Sequence, residues 1–510
     1  MNTILSVATL HRALGRLFRQ KGFTITVLLT LGLCIGANIA IFAVIDAVLL
    51  KTLPFPKPNG LVTAYNSYPG AGVERASASL PNYYERREGI EAFESVSIIQ
   101  YGSAVVGDAG SPNRVKRDRI SPEFFETLGV PLLMGRTFTE DEMLKGNSGK
   151  AILTYEYWQS TFEGDPQVLG KIFQIEGYPV EVIAVLPNGF KFLSSEAKFY
   201  VPVASELKDR EPDNRHSNNY FFIARLKDGA SISNAQSQID AFNAVQLETD
   251  PVAHLLEGVR FKTYVKDLRE DHVASIKPTL LMLQAGALCL LLIGGVNIAN
   301  LFLIRASGRS KEMAVRLALG AGRLHVVRET LYETLTLTII GGFLGLGVGA
   351  LGIRMINFLG IDELPLGDGI ALDARVALVA LAGSCLVGAA LAIPVIGFHL
   401  RGQLVTALQS ESRGGTVSRN AQRMRHAFIV AQIALTFVLI TGAGMLTISF
   451  KRVMDVSPGF NPTNVVSGRI SLPHKRYPEK EDRLAFVDRL LPAVKSIQGV
   501  KTAAINTGLP

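Results

Sequence analysis

The sequence predicts an α-helical integral membrane protein with five transmembrane helices and a large inserted α+β extracytoplasmic domain. Three observations predict it. The 510 residues are 48% apolar, and the mean hydropathy is positive, +0.26. The apolar residues gather into long runs instead of spreading along the chain. The short segments between those runs alternate in charge.

A spanning helix needs about 20 predominantly apolar residues, because the hydrocarbon layer is about 30 Å thick and a helix rises about 1.5 Å per residue. Five stretches meet that length: 23–50, 279–304, 331–358, 375–400 and 426–450. Their interiors are nearly free of charge, and a charge at mid-span would cost about 2.5–3.5 kcal/mol. The exceptions, Asp46, Glu333 and Arg354, lie toward segment ends, where a side chain is expected to reach headgroups or water. The three cysteines, Cys34, Cys289 and Cys385, all fall inside the spans, so the water-exposed parts hold no disulfide framework and no thiolate zinc site.

The net charge of +8 is carried largely by particular loops, which argues against a nucleic-acid surface. Residues 1–22 hold Arg12, Arg16, Arg19 and Lys21 with no acidic residue. Residues 305–330 hold Arg305, Arg309, Lys311, Arg316, Arg323 and Arg328 against Glu312 and Glu329. Residues 401–425 hold Arg401, Arg413, Arg419, Arg423 and Arg425 against Glu411, whereas 359–374 carries Asp362, Glu363, Asp368 and Asp373 with no base. Basic short loops stay in the cytoplasm. This alternation predicts a cytoplasmic N-terminus, a domain over 51–278 outside the membrane, and a second outer segment over 451–510. The first apolar run far exceeds the 7–15 residues or so of a signal-peptide core, so an uncleaved first span is expected.

Residues 51–278 are mixed in polarity and rich in turns. Lys171–Ile175, then Glu176-Gly177, then Tyr178–Leu186 predicts two strands around a tight turn. Ser121-Pro122-Glu123 followed by Phe124, Phe125, Leu128 and Gly129 predicts a short helix capped by Ser121. Ser231–Leu247 predicts a longer amphipathic helix. The histidines of this domain, His216, His254 and His272, lack metal-ligand spacing, and no nucleophile elbow or His-Glu-x-x-His motif occurs. No catalytic residue and no metal site are predicted; binding or force transmission is the expectation.

Within the spans the polar residues are mainly amides and hydroxyls, Asn38, Gln284, Asn297, Asn300 and Gln432 among them. Interhelical hydrogen bonds account for these, and a secondary transporter would need an intramembrane ion site that is not evident. The third span reads Gly341-Gly-Phe-Leu-Gly-Leu-Gly-Val-Gly-Ala-Leu-Gly352. Gly341, Gly345 and Gly349 are spaced as consecutive Gly-xxx-Gly, and Gly342, Gly345, Gly349 and Gly352 fall on one stripe, predicting close packing on a neighbouring helix. Residues 309–323 predict a short amphipathic helix: Ser310 can cap it, Glu312 sits in its first turn and Gly320 can end it. Met313 and Leu317 share one face, Glu312 and Arg316 another.

Asn297-Ile-Ala-Asn-Leu-Phe-Leu-Ile-Arg305 followed by Lys311-Glu-Met-Ala-Val-Arg-Leu-Ala-Leu-Gly-Ala-Gly-Arg323 resembles the signature of FtsX/MacB-type ABC transporter permeases. The outer domain is similar to the MacB-like periplasmic core, notably in two motifs, Tyr157-Trp158 to Gly164-Asp165-Pro166 and Val185-Leu-Pro-Asn-Gly-Phe190. The resemblance implies that Arg309, Lys311, Glu312, Met313, Arg316, Leu317, Gly320 and Arg323 form a coupling helix against a cytosolic ABC ATPase dimer. It implies a permease subunit of the bacterial inner membrane, working in export or efflux, with no cofactor of its own and ATP used by the partner. No Walker-type Gly-x-x-x-x-Gly-Lys-Ser/Thr occurs, so no P-loop is expected in this chain. The alternative within the same resemblance is a non-transporting FtsX-like regulator of an extracytoplasmic enzyme. Leu29-Thr30 and Gly36-Ala37 align at constant offset with Leu435-Thr436 and Gly442-Ala443. The fifth span therefore resembles the start of a second permease unit, and the chain is expected to stop inside a second outer domain. A second permease unit and a periplasmic partner are the further expected partners.

Overall fold

Long apolar runs and short alternating ones sort this chain into two units, residues 1–51 with 273–456 and residues 52–272 with 457–510. The computed structural model describes residues 20–107, 113–308, 323–358, 370–401, 419–456, 464–468, 470, 472 and 477–506. In chain order α1 is Lys21–Ile45, continued by a π-turn over Asp46–Leu50. The outer unit follows, with β1 Leu61–Tyr68, β2 Val73–Ala76, α2 Leu80–Gly89, β3 Phe93–Gln100, β4 Ser103–Val106 and β5 Asn113–Ile120. Next come α3 Phe124–Leu128, β6 Met134–Gly135, β7 Lys150–Leu153, α4 Tyr155–Phe162, β8 Ile172–Ile175, β9 Tyr178–Val185 and β10 Phe199–Pro202. The unit continues through β11 Phe221–Leu226, α5 Ile232–Thr249, α6 Ala253–Gly258, β12 Lys262–Asp267 and α7 Leu268–Val273. The remaining long helices are α8 Lys277–Gly308, α9 Arg323–Phe358, α10 Ala374–Arg401 and α11 Arg419–Met454, followed by α12 Lys480–Lys495.

Five helices are long and apolar enough to cross a membrane: Lys21–Leu50, Lys277–Ala306, Val327–Phe358, Ala374–Gly397 and His426–Met454. In the membrane unit the buried face of α1, with Val27, Leu31, Ile35 and Ile39, joins Ile298 and Phe302 of α8, Leu337 and Ile353 of α9, and Leu391 of α10 in one core. In the apolar stretch of α11, by contrast, no residue is buried within this chain, and Phe428 is half-buried against that core. The spans extend into the segment read above as a loop, since α8 runs to Gly308 and α9 begins at Arg323.

The outer unit is built on twelve strands among the described residues: ten in the order β10-β7-β9-β8-β4-β5-β3-β11-β1-β12, with β2 paired to β1 and β6 to β9. β10 pairs antiparallel with β7 and parallel with β5, closing six strands into a ring. Closure removes exposed strand edges from this lobe. Its core holds Leu153, Tyr157, Trp158, Val182 and Phe199. β3, β11, β1, β12 and β2 form an open lobe, whose core of Tyr83, Ile98, Phe222, Ile239 and Val265 brings α2 and α5 onto the sheet. Phe55, Phe124, Phe125, Phe190, Phe192 and Tyr200 form an aromatic cluster with ring centroids 5.0–6.3 Å apart.

Local chemistry explains several elements. β8 and β9 form a hairpin around Glu176 and Gly177, whose φ values of 54° and 83° give a two-residue turn suited to the sheet twist. Ser231 caps α5 by accepting from Asn234 N at 3.1 Å. The helix at 124–128 differs from expectation: Ser121 Oγ accepts from Ile98 N at 3.1 Å, so this side chain ties the turn to β3 instead of capping α3. Gly129, at φ 70°, ends that helix in the left-handed region that glycine favours. The two motifs that carry the outer-domain resemblance are structural. Trp158 Nε1 donates to Asp165 O at 3.0 Å across the turn closing α4, and Glu156 accepts from Gly189 N at 3.1 Å.

Candidate functional site: the seam of the membrane unit

The glycines of α9 make its contact with α1. A side-chain carbon on Gly345 would lie 2.8 Å from Ile35 Cγ2 and 3.2 Å from the backbone nitrogen of Gly36. One on Gly349 would lie 2.7 Å from Ile39 Cγ2 and 3.3 Å from Gly36 O; on Gly341, 2.7 Å from Leu31 Cβ; on Gly352, 3.2 Å from Ala40 Cβ. α1 answers with its own small residues, because a Cβ on Gly36 would meet Val348 Cβ at 2.6 Å and Gly345 O at 3.1 Å. Two backbones therefore approach where neither helix has a side chain, which maximises dispersion contacts in a solvent that offers no hydrophobic drive. Gly342 does not join them. One residue round the helix from Gly341, it faces Ser384 of α10, whose Oγ would be 2.5 Å from an added Cβ. Gly388 of α10 returns the contact, since a Cβ added there would run into Thr338 Oγ1.

A polar joint links α1 to α8. Asn38 Nδ2 donates to Ala287 O at 2.8 Å and to Cys34 O at 2.9 Å, and Gln284 Nε2 donates to Asn38 Oδ1 at 2.9 Å. Cys34 Sγ donates to Leu290 O at 3.6 Å. α1 is thus seated on α9 through glycines and on α8 through amides.

Charges sit at both ends of this assembly. Arg305 near the end of α8 forms an ion pair with Glu333 of α9. The Arg305 guanidinium lies 4.8 Å from the centroid of the Phe23 ring of α1, which meets Phe302 edge-on at 5.3 Å. Glu333 is therefore held between helices and does not reach for headgroups. At the other end, Asp46 in the π-turn is 1% exposed and lies 3.3 Å from Arg375 of α10. Lys51 pairs with Asp373 at 3.3 Å, and Asp373 Oδ1 accepts from Val376 N at 3.0 Å, capping α10. Arg354 is exposed.

Of the residues proposed for coupling, Arg309, Lys311, Glu312, Met313, Arg316, Leu317 and Gly320 lie outside the described residues, and Arg323 is the first residue of α9. The α9 glycines are brought onto α1 and α10. Sequence reasoning missed their counterparts Gly32, Gly36 and Ala40, although the Gly-xxx-Gly spacing of 32 and 36 marks them. It also counted Arg305 as a loop charge and Glu333 as an end charge; the signal was that an ionisable residue within a span tends to find an opposite charge.

The MacB-like periplasmic core domain family matches residues 24–242, and the FtsX-like permease C-terminal family matches residues 285–458. The chain is 27% identical over 248 residues to the ABC transporter permease YknZ of Bacillus subtilis (strain 168), covering 47% of this chain and 57% of that protein. It is 25% identical over 247 residues to the macrolide export ATP-binding/permease protein MacB of Psychrobacter cryohalolentis, covering 48% of this chain and 35% of the relative. The matches thus span between about a third and just over half of the relatives' length. The crystal structure of the periplasmic region of MacB from Actinobacillus actinomycetemcomitans aligns over 46% of this chain and 97% of its own, at 14% identity and a TM-score of 0.30. With the two family domains in sequence and five spanning helices around an inserted sheet-rich domain, the chain belongs to the FtsX/MacB type of ABC transporter permease.

Proposed function

We propose that this chain is the permease subunit of an ABC-type complex of the bacterial inner membrane, with its N-terminus in the cytoplasm. A separate cytosolic ATPase dimer docks on residues 309–323, and its closure on ATP moves the outer domain to drive export. The chain itself needs no cofactor; ATP belongs to the partner. Glu312 and Arg316 on one helical face and Met313 and Leu317 on another supply polar and apolar contacts for that docking, with Arg309, Lys311 and Arg323 adding positive charge at the edges.

One observation carries this reading. The docking segment joins α8 to α9, and α1 is bound to both: to α9 through Gly36, Gly345 and Gly349, to α8 through Asn38 and Gln284. α1 and α8 are also the two helices whose chain continues into the outer domain. A push on the segment at 309–323 therefore reaches both carriers of that domain, with the Arg305–Glu333 pair tying the flanks of the segment together. Close-packed helices transmit such displacements because they shift between discrete packings and do not deform continuously.

Replacing Glu312 and Arg316 together with alanine tests the docking. The tagged full chain purified from native membranes is expected to carry a P-loop ATPase, and the double variant is expected to lose it while keeping its melting temperature. Recovery of the ATPase at the wild-type yield would refute the docking surface.

A further inference from the structure

The chain enters the outer domain through residues 52–60 and leaves it after β12, and both paths meet on one strand pair. β1 and β12 run antiparallel with Val62 opposite Asp267, so entry and exit lie at the same end. Displacement arriving there loads the ladder from its end, one hydrogen bond after another. That geometry peels strands apart; it does not move the domain as a body.

Arg225 counters this. It lies on β11 opposite Leu61 and is 7% exposed. Its guanidinium donates from Nη2 to Pro56 O at 3.0 Å, from Nη1 to Lys57 O at 3.0 Å and from Nε to Thr127 O at 2.8 Å. The rigid guanidinium fork thereby ties the entering main chain to the strand beyond β1 and to the last turn of α3. The entering segment is fixed from other sides as well. Lys57 holds a left-handed backbone, φ 45° and ψ 58°, a conformation that persists in a non-glycine residue only when its surroundings enforce it. Its ammonium pairs with Asp228, three residues past Arg225, at 3.0 Å. Phe55 stacks on Phe192 with centroids 6.3 Å apart and planes at 25°. Pro56 lies on Gly129, where an added Cβ would be 3.3 Å from Pro56 Cβ.

We infer that Arg225 is a positioning residue that makes residues 55–57 a rigid joint, handing motion of α1 to β11 and α3 so that the outer domain moves whole. The inference rests on the coupling reading above. It requires that loss of the guanidinium separate ATP turnover from domain movement, an effect that simple loss of stability does not produce.

The test uses the full chain with its co-purified ATPase in lipid nanodiscs, with Cys34, Cys289 and Cys385 replaced by alanine. Spin labels at Ser237→Cys in the outer domain and Leu378→Cys in α10 report the change in distance distribution on trapping with ATP and vanadate. The Arg225→Met protein is expected to keep the ATPase and its turnover but lose the distance change. An unlabelled pair, Pro56→Cys with Gly129→Cys, lies close to the Cβ separation of about 3.5–4.5 Å that a disulfide needs. Introduced before the labels and oxidised, it is expected to restore the change in the Arg225→Met background, and reduction to abolish it again. Should Arg225→Met fail to fold, Arg225→Lys serves, because a single ammonium nitrogen does not reach carbonyls placed for three separate nitrogens. A wild-type distance change in either variant overturns the joint. Absence of the ATPase or of the distance change from the otherwise wild-type labelled protein instead overturns the coupling reading itself, and the joint falls with it.

Discussion

Where α1 meets α9, the contact is made of missing side chains: Gly36 against Gly345 and Gly349, backbone against backbone. Where the strands of the outer domain meet their helices, the contact is made of large ones. Tyr83, Phe124, Phe125, Phe192, Tyr200 and Phe222 are all buried to within 2% of complete, and Arg86 is buried beside them. Arg86 Nη2 donates to Asn66 Oδ1 at 2.7 Å and to Thr263 Oγ1 at 3.0 Å, and Asn243 joins through Thr263. Burial pushes the Arg86 guanidinium down to about 10, without neutralising it near pH 7. The difference follows from the two solvents. Water drives rings and aliphatic chains into a core, and the polar groups buried with them must be hydrogen-bonded. Lipid supplies no such drive, so helices gain by close approach and by few polar bonds. The outer domain is keyed by large buried side chains, whereas the α1–α9 seam sets Ile35, Ile39 and Val348 into glycine gaps of the facing helix.

That comparison can be broken from either side. The largest effect is expected in the outer domain. Phe124→Ala removes a fully buried ring from the aromatic cluster, at a cost of about 3–5 kcal/mol. The expected result is an early outer-domain transition in a thermal melt of the detergent-solubilised chain, with helical signal retained. A single cooperative loss of both would show the two units to be one folding body.

A smaller effect is expected at the seam. Gly345→Leu drives a side chain into Ile35 and the Gly36 backbone, and overpacking of this kind costs about 1–3 kcal/mol. Helix association is expected to weaken, seen as broadened size-exclusion profiles and faster protease cleavage in the membrane unit, while the outer-domain melt stays put. An unchanged profile would mean that the α9 glycines do not govern the contact.

The smallest effect sharpens the picture of the keyed unit. His216 sits between Tyr68 OH, 2.9 Å from Nδ1, and Asp250 Oδ2, 3.4 Å from Nε2. Burial pushes its pKa below the ordinary 6.5, and Asp250 opposes that shift in part. A histidine whose folded pKa is depressed binds its proton better in the unfolded chain. Its contribution is therefore complete above the ordinary value and declines as pH falls below it. The outer-domain melting temperature is expected to fall between about pH 7.5 and about pH 5.5, and His216→Gln to flatten that fall. An identical fall in both proteins would assign the pH dependence to other groups.

Much of the fold was legible because its signals are local. Apolar runs of spanning length and the Glu176-Gly177 turn are each written in consecutive residues. What could not be read depends on partners far apart in sequence. β10 closes on β5 across some eighty residues, Phe199 opposite Arg117, with nothing in either strand to announce it. Ser121 has the residue type of a helix cap, yet the amide it satisfies is that of Ile98. The candidate site divides the same way. Spacing singled out the glycines of α9, but it could not say that Gly342 turns to Ser384 while its neighbours meet α1. Nor could it pair Arg305 with Glu333, or recognise Arg225, an ordinary strand residue whose three acceptors are main-chain oxygens in other segments.

The central claim, that an ATPase grips residues 309–323 and acts on the outer domain through the spans, is tested most directly by photocrosslinking in native membranes. A benzophenone amino acid at Leu317 is expected to capture a P-loop ATPase, identified by mass spectrometry, whereas the same group at Ser237 in the outer domain captures none. Crosslinking at Leu317 that yields only lipid adducts or unrelated proteins, with the chain intact and correctly inserted, would contradict the account.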